Sequence, residues 1–440
     1  MSLVENTQLK LLKEIKNFFS INKKFKNLIS RLDYYYLCPY DNSKGTSRLI
    51  FFFNKFLSIK IYLIATFRDI YKILKIGKFK ILNYNQNKKY NTIVFNWGKN
   101  SDFDKKGNFY DKHFNVKSSY CPNILWVVIF LDKNIPRYIG KNIILIYNER
   151  KIFNLKNLFK IIFITFFKNK NLNFLNQELS FLTILSNFFL SNTNILLNNK
   201  IKKVIMPYEG QPFQNSIFNC VHNYSKNIKT IGYVHSFPSG LPSNYFKRSG
   251  SPRKIIVSGD AQKFCFHSHL GWNKNEIKVL PSSRYLKNKI DMKNKIFLPI
   301  NFNSKTKILS SIKKIAESQK LNLKNFEIKN HPHTSGSKKH ESIIFDLRKI
   351  IINYSNSSKI KKTNVSIFIG PTASVIEALE RNSTVFHICE IPELESYNKK
   401  IWKYISSSSI DRNIFKYKLE KKNKLIKFGK NVNLYKSYLQ

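Results

Sequence analysis

From residue 202 onward, short apolar runs alternate with amphipathic stretches. Runs at 204–207, 230–234, 254–258 and 277–280 read as strands, and the 3.6-residue period predicts helices over 214–224 and 261–270. A second series follows, with strands at 296–300, 326–329, 365–369 and 384–388 and helices over 305–319, 341–353 and 373–381. Such alternation implies parallel sheets carrying helices on both faces. The polar, basic stretch 287–295 between the two series reads as a linker. The expected fold class is therefore α/β, with two Rossmann-like domains facing one another over residues 91–287 and 288–440, the second closed by a terminal helix. Upstream, 92–97, 124–131 and 143–147 add strand-like runs, while 151–197 is helical or irregular. Leu9, Leu12, Ile15 and Phe19 fall near a helical period, so residues 1–90 are expected to form a helical N-terminal extension.

Composition supports a packed chain. Hydrophobic residues make up 42% and aromatics 15% of the 440 positions, enough for a sizeable core. The formal net charge of +50 points first to nucleic acid. Against that, Lys, Asn, Ile, Phe and Tyr abound while Gly (14) and Pro (13) are scarce, the pattern of A/T-rich codons. The surplus is spread along the chain, as on an ordinary solvated surface. Such a surface is still drawn to anionic lipid and to phosphorylated substrates. Cys38, Cys121, Cys220, Cys265 and Cys389 are scattered and form no CxxC pair, which argues against a disulfide framework and a structural zinc site and suits a reducing cytosol. The first 24 residues lack the apolar core of a signal peptide. Residues 49–67 and 158–167 are apolar but lysine-interrupted or too short to span a bilayer, and read as buried or interfacial helices. The expected location is cytoplasmic, with peripheral attachment to the inner membrane face.

In open parallel sheets, ligands bind outside the carboxyl ends of the strands. That rule selects Glu209, His235, His331-Pro332-His333 and Gly370-Pro371-Thr372-Ala373-Ser374. Gly370 leaves a strand, Thr372 is a reasonable N-cap, and free amides at the start of the next helix make a phosphate site. Glu377, one turn in, is placed to reach ribose hydroxyls or to serve as a dipole-favourable surface acid. Asn382 ends this helix in place of the usual Gly and tolerates the left-handed conformation needed there. His331, preceded by Lys329, suits donation to a phosphate without a metal. It lies one βαβ step from the Gly370 turn, on what is expected to be an adjacent strand end. His333 and His340 read as bystanders. Asp102-Phe103-Asp104 is a D-x-D, which in metal-dependent transferases binds a divalent ion, but in this polar loop it reads as turn chemistry. Tyr110-Asp111 is a possible acceptor-side element without an assigned role.

Lys329-Asn330-His331-Pro332 followed by the run Gly370 to Leu379 resembles the carboxyl-terminal half of GT-B glycosyltransferases. The closer likeness is to the branch with an HP motif: bacterial sialyl-, polysialyl- and Kdo-type transferases and the glycerophosphotransferases of teichoic-acid synthesis. Pro207-Tyr208-Glu209-Gly210-Gln211-Pro212-Phe213 and Gly232-Tyr233-Val234-His235 resemble strand ends of surface-carbohydrate transferases, with Phe213 in place of the usual Trp. Pro281-Ser282-Ser283-Arg284 resembles the segment closing their first domain, with Pro281 in place of Gly. The likeness covers roughly residues 91–388, and its last third is the specific part.

This resemblance implies a metal-independent transferase acting on a CMP-, CDP- or UDP-linked sugar and a polysaccharide or lipid-linked acceptor, with no cofactor beyond the nucleotide-sugar donor. His331 would contact the donor phosphate, flanked by Lys329 and Pro332. Gly370, Thr372 and Ser374 would bind phosphate and Glu377 the ribose. Glu209 is the candidate general base, because a partly buried carboxylate can take the acceptor proton. His235 competes for that role, and Arg284 would neutralise the leaving group or bridge the linker. Two other function classes remain: a non-catalytic assembly protein on a degenerate transferase fold, and a basic nucleic-acid binder. The second lacks any recognisable motif and uses Lys far more than Arg, the usual base reader.

Overall fold

The computed structural model describes residues 2–21, 74–83, 90–149, 200–286, 291–331, 336–355 and 364–429. It also describes positions 71, 154–156, 158–159, 185, 188–189, 191–192, 196–197 and 334. The strongest apolar runs became strands. β2 (Thr92–Gly98), β5 (Ile124–Phe130), β6 (Ile143–Asn148), β7 (Lys203–Pro207), β8 (Lys229–Tyr233), β9 (Lys254–Val257) and β10 (Ile277–Val279) pair in parallel. With β1 (Phe79–Leu82) antiparallel on the edge, the order is β1-β6-β5-β2-β7-β8-β9-β10. All seven residues of β5 are buried, the unbroken apolar run expected of a sheet covered on both faces. Alternate residues serve opposite cores: Ile93, Phe95, Val127 and Ile129 face the main one, Val94, Trp126 and Val128 the other. Phe109, Phe114 and Val116 cover that second face, carried by the short hairpin β3 (Tyr110–Asp111) and β4 (Val116–Lys117). This face of the sheet is thus covered by a looped hairpin rather than by a helix.

The second sheet has the order β13-β12-β14-β15-β17-β16. Its parallel part is β13 (Glu327–Lys329), β12 (Lys295–Phe297), β14 (Val365–Ile369) and β15 (Thr384–Ile388); β17 (Ile414–Leu419) and β16 (Ile405–Asp411) continue it antiparallel. One face packs Ile308, Ile312 and Ile315 beside Ile343, Leu347 and Ile350. These come from two helices, numbered here after α1 (Ser2–Ile21), α2 (Pro212–Tyr224) and α3 (Asp260–Ser268) as α4 (Lys305–Ser318) and α5 (Lys338–Asn353). Between β14 and β15 lies α6 (Ser374–Glu380), and after β15 comes α7 (Pro392–Glu395).

The expected N-terminal extension is divided between the two halves. Gln8 of α1 donates to the Ser396 carbonyl (2.9 Å), and Leu11, Leu12 and Ile15 enter the main core. Residues 79–82, expected to be helical, instead edge the first sheet. The chain also returns late: β18 (Phe428–Gly429) pairs with β11 (Ser282–Leu286), and the Lys427 amide donates to the Ser258 carbonyl (2.7 Å). Residues 288–440 are therefore not confined to the second sheet. The terminal helix expected beyond 429, residues 49–67 and 287–290, and all but the first two positions of 158–167 lie outside the described residues. Among those described, no helix is long and apolar enough to cross a membrane.

The halves share one core. Phe237, Leu241 and Tyr245 pack with Leu394, Tyr397, Ile401 and Trp402. The Leu241 amide donates to the Leu394 carbonyl (2.9 Å), and Trp402 Nε1 donates to the Gly240 carbonyl (2.7 Å). Gly240 is required for this approach, since a Cβ there would sit 2.2 Å from the Ser396 carbonyl oxygen. Backbone cannot move aside as a side chain can. Gly240→Ala is expected to destabilise the protein by about 1–3 kcal/mol or more, read as a lower urea midpoint at unchanged m.

Candidate functional site

The first sheet reverses its strand order between β2 and β7, with β5 and β6 on one side and β8 to β10 on the other. A crevice outside the carboxyl ends of the strands belongs at that point. Glu209 lies two residues past β7. Gly210 then turns the chain at φ 68°, where a Cβ would lie 1.9 Å from the Asn244 carbonyl oxygen. Gln214 of α2 fixes the turn: its Oε1 accepts from the Glu209 and Gln211 amides (3.0 Å each), and its Nε2 donates to the Pro207 carbonyl (2.7 Å).

Glu209 Oε1 stands 3.4 Å from His235 Nε2, just past the neighbouring strand β8. Gln211 Nε2 donates to the other carboxylate oxygen (2.5 Å). Burial raises the Glu209 carboxyl above the ordinary glutamate range, opposed by the Gln211 hydrogen bond and the Arg284 charge. Burial also holds His235 well below the usual imidazole range, helped by His113 and Arg284. A neutral imidazole therefore faces a carboxyl that is reluctant to ionise, and the two together are suited to hold or pass a single proton.

Sequence reasoning missed His113. Its ring meets His235 edge to face at 4.5 Å between centroids, and its Nδ1 is 3.9 Å from Asp111 Oδ1. Burial lowers His113 to about 4, with Arg284 adding to the effect. Asp111 is fully buried and its carboxyl rises to about 6, although the Phe114 and His113 amides donate to it. His113 Nδ1 and His235 Nδ1 are buried with no hydrogen-bond partner among the described residues. The cluster thus holds more polar capacity than the protein itself satisfies. The long-range tie is Ser283 of β11, whose hydroxyl donates to the His113 carbonyl and hydrogen-bonds Tyr233 Oη (2.7 Å). The next residue, Arg284, is exposed, and its charge acts on Glu209, His113 and His235 alike. Only Tyr110-Asp111 had hinted at this arm.

The second sheet reverses its order between β12 and β14. Gly370 follows β14 at φ 68°, with Pro299 from beyond β12 against it; a Cβ there would be 3.3 Å from the proline ring. Thr372 Oγ1 accepts the Ser374 amide (3.2 Å), but the N-cap of α6 is Ala373 and not Thr372, which stands two residues before the helix. Glu377 is buried, and its Oε1 accepts from Arg381 Nε (3.1 Å) and a terminal guanidinium nitrogen (2.8 Å). Arg381 also reaches the Leu286 carbonyl. Asn382 takes the left-handed conformation (φ 62°). His331 and the Gly370 turn are not on adjacent strands. His331 follows edge strand β13, and β12 inserts between β13 and β14. The His331 carbonyl accepts from Thr334 (3.0 and 2.8 Å) and Lys329 pairs with Glu327 (2.7 Å), while Pro332 and His333 lie outside the described residues. One contact joins the two strand-end regions: Tyr397 Oη reaches the Pro238 carbonyl (3.1 Å), three residues past His235, and the Thr372 carbonyl (3.5 Å).

The D-x-D carboxylates are engaged within their own loop. Asp102 accepts the Lys99 amide (3.0 Å) and pairs with Lys112; Asp104 accepts the Lys106 and Asn108 amides (2.9 Å each).

No protein-family model matches the chain, and no curated protein matches it in sequence. A solved structure to which it bears a weak likeness is the trehalose-6-phosphate phosphatase N-terminal domain of Candida albicans. The TM-score is 0.35 and the identity 9%, covering 71% of this chain and 84% of that one. A likeness at that level carries no weight for fold or chemistry.

Proposed function

We propose that the chain is a glycosyltransferase of two Rossmann-like domains, moving a sugar from a CMP-, CDP- or UDP-linked donor to a surface polysaccharide or lipid-linked acceptor. One observation carries the reading: a half-buried Glu209 carboxyl of raised pKa, beside His235, at the point where the first sheet reverses its order. Glycosyl transfer needs such a group. The acceptor hydroxyl gives its proton to Glu209 as its oxygen bonds to the anomeric carbon, and the bond from that carbon to the donor phosphate breaks toward the phosphate. His235 shares the proton with Glu209. Arg284, His331, Lys329 and the turn from Gly370 to Ser374 stabilise the departing phosphate charge, with no metal in the step. Arg381 already orients Glu377, so a ribose contact would fall to a carboxylate held in place. The net charge of +50 suits an enzyme held at an anionic inner membrane face, where lipid-linked acceptors reside.

The donor half is tested by thermal shift against CMP, CDP and UDP. One of the three is expected to raise the melting temperature, since a ligand at a hundred times its Kd stabilises by about 2.7 kcal/mol. His331→Ala is expected to lose that shift while melting within about 0.5 kcal/mol of the parent, as surface substitutions do. No shift with any nucleotide would remove the donor site. A shift unchanged in His331→Ala would remove His331 from it.

A further inference from the structure

We propose that His387, Cys389, Glu395 and Tyr417 form a site for one borderline-soft transition-metal ion of the zinc class. His387 and Cys389 are alternate residues at and just past the end of β15, so their side chains fall on one face. Glu395 ends α7, and Tyr417 lies on the neighbouring strand β17. One donor atom each from His387, Cys389 and Glu395 lie within 4.8 Å of one another, and all four residues are buried.

The spacing is that of ligands around an ion. His387 Nδ1 is 3.4 Å from Cys389 Sγ. Two ligands about 2.1 and 2.3 Å from a tetrahedral zinc lie about 3.5 Å apart. Tyr417 Oη is also 3.4 Å from Nδ1, whereas hydrogen bonds from hydroxyls are usually about 2.8 Å. Orientation agrees with spacing. His387 Nε2–H donates to the Gly370 carbonyl (2.8 Å), which fixes the tautomer and leaves the Nδ1 lone pair toward the cluster, as in outer-sphere support of metal-bound histidines. The Glu395 carboxylate is fixed by the Glu390 and Ile391 amides (2.9 and 3.3 Å), and the Tyr397 amide donates to Tyr417 Oη (3.0 Å).

A bound cation would displace the thiol and carboxyl protons to solvent and take a thiolate and a carboxylate as ligands. Thiolate, imidazole and carboxylate together favour zinc over magnesium or calcium. Of the four residues, Cys389 also lines a cavity of about 920 Å³. Scattered cysteines exclude a cysteine-pair zinc site, whereas this cluster uses a single cysteine, Cys389. The ion would clamp β15, α7 and β17, and through His387 the Gly370 turn. It has a structural role and does not rest on the transferase reading.

The test is metal analysis of the full chain purified without chelators, followed by cobalt(II) titration of the stripped protein. The expected results are one zinc per chain and a thiolate-to-cobalt charge-transfer band. Cys389→Ser should lose the band, and Glu395→Gln should weaken metal binding at least about tenfold. Absence of both stoichiometric metal and the band in the unmutated chain overturns the site. So does a band that survives in Cys389→Ser. Should Cys389→Ser fail to fold, the unmutated chain and Glu395→Gln decide the matter.

Discussion

Glu209→Gln is expected, on the proposed transferase reading, to abolish most transfer, by about 10²–10⁴-fold in kcat, while leaving the protein folded and still responsive to the donor nucleotide. The amide keeps the size and the hydrogen-bond acceptor but cannot take a proton. The pH dependence makes the assignment specific. Burial lifts the Glu209 carboxyl, and the base form exists only above that raised value, so activity should fall as pH drops through it. The acid limb should lie higher than an ordinary glutamate would give. Stability moves the opposite way. Because the folded-state pKa is raised above the unfolded one, ionisation opposes folding, and stability is lost as pH rises through the folded pKa. Glu209→Gln removes that loss. The variant should match the parent in acid and exceed it in stability above the window. His235→Ala, in contrast, should lower activity and also shift the acid limb, because the proton partner proposed for Glu209 is gone. A Glu209→Gln enzyme that retains transfer within about threefold would move the base elsewhere, and by geometry His235 would be next.

The strand-and-helix alternation was legible because buried parallel strands leave unbroken apolar runs such as Ile124–Phe130, and amphipathic helices leave a 3.6-residue period. Edge strands leave neither. Ile405–Asp411 contains four consecutive serines and is half exposed, yet it is a strand because β17 supplies its hydrogen-bond partners. Phe79–Leu82 is four residues in a lysine-rich context and is held by β6. Glu209, His235 and Gly370 were legible because each follows a strand. His113 was not, since its position depends on a hydroxyl 170 residues away. Strand order was equally hidden. Nothing local to residues 326–369 says that β12 will pair with both β13 and β14, which is why the spacing alone places His331 and Gly370 on adjacent strand ends. Pairwise spacing along a chain reports faces and periods, whereas strand order is settled by which crossover packs best.

Trp402→Ala is expected to be the most destabilising single truncation at the joint between the halves. The side chain is fully buried, lies 4.7 Å from the Phe237 ring, and donates to the Gly240 carbonyl. Removing a buried Trp costs about 3–5 kcal/mol through lost transfer and the cavity left behind. Trp402→Phe separates the two contributions, because it keeps much of the volume and strands the Gly240 carbonyl, at about 1–3 kcal/mol. Since one core runs through both halves, the parent should unfold in a single transition, and Trp402→Ala should either lower its urea midpoint or split it in two. A loss below about 0.5 kcal/mol for Trp402→Ala would mean that the joint can reorganise around the gap. Transfer should suffer as well, because residues 236–240 run directly from His235 to the Trp402 contact. The loss should track the displacement of His235: Trp402→Phe should keep more activity than Trp402→Ala, and the acid limb should shift more in Trp402→Ala.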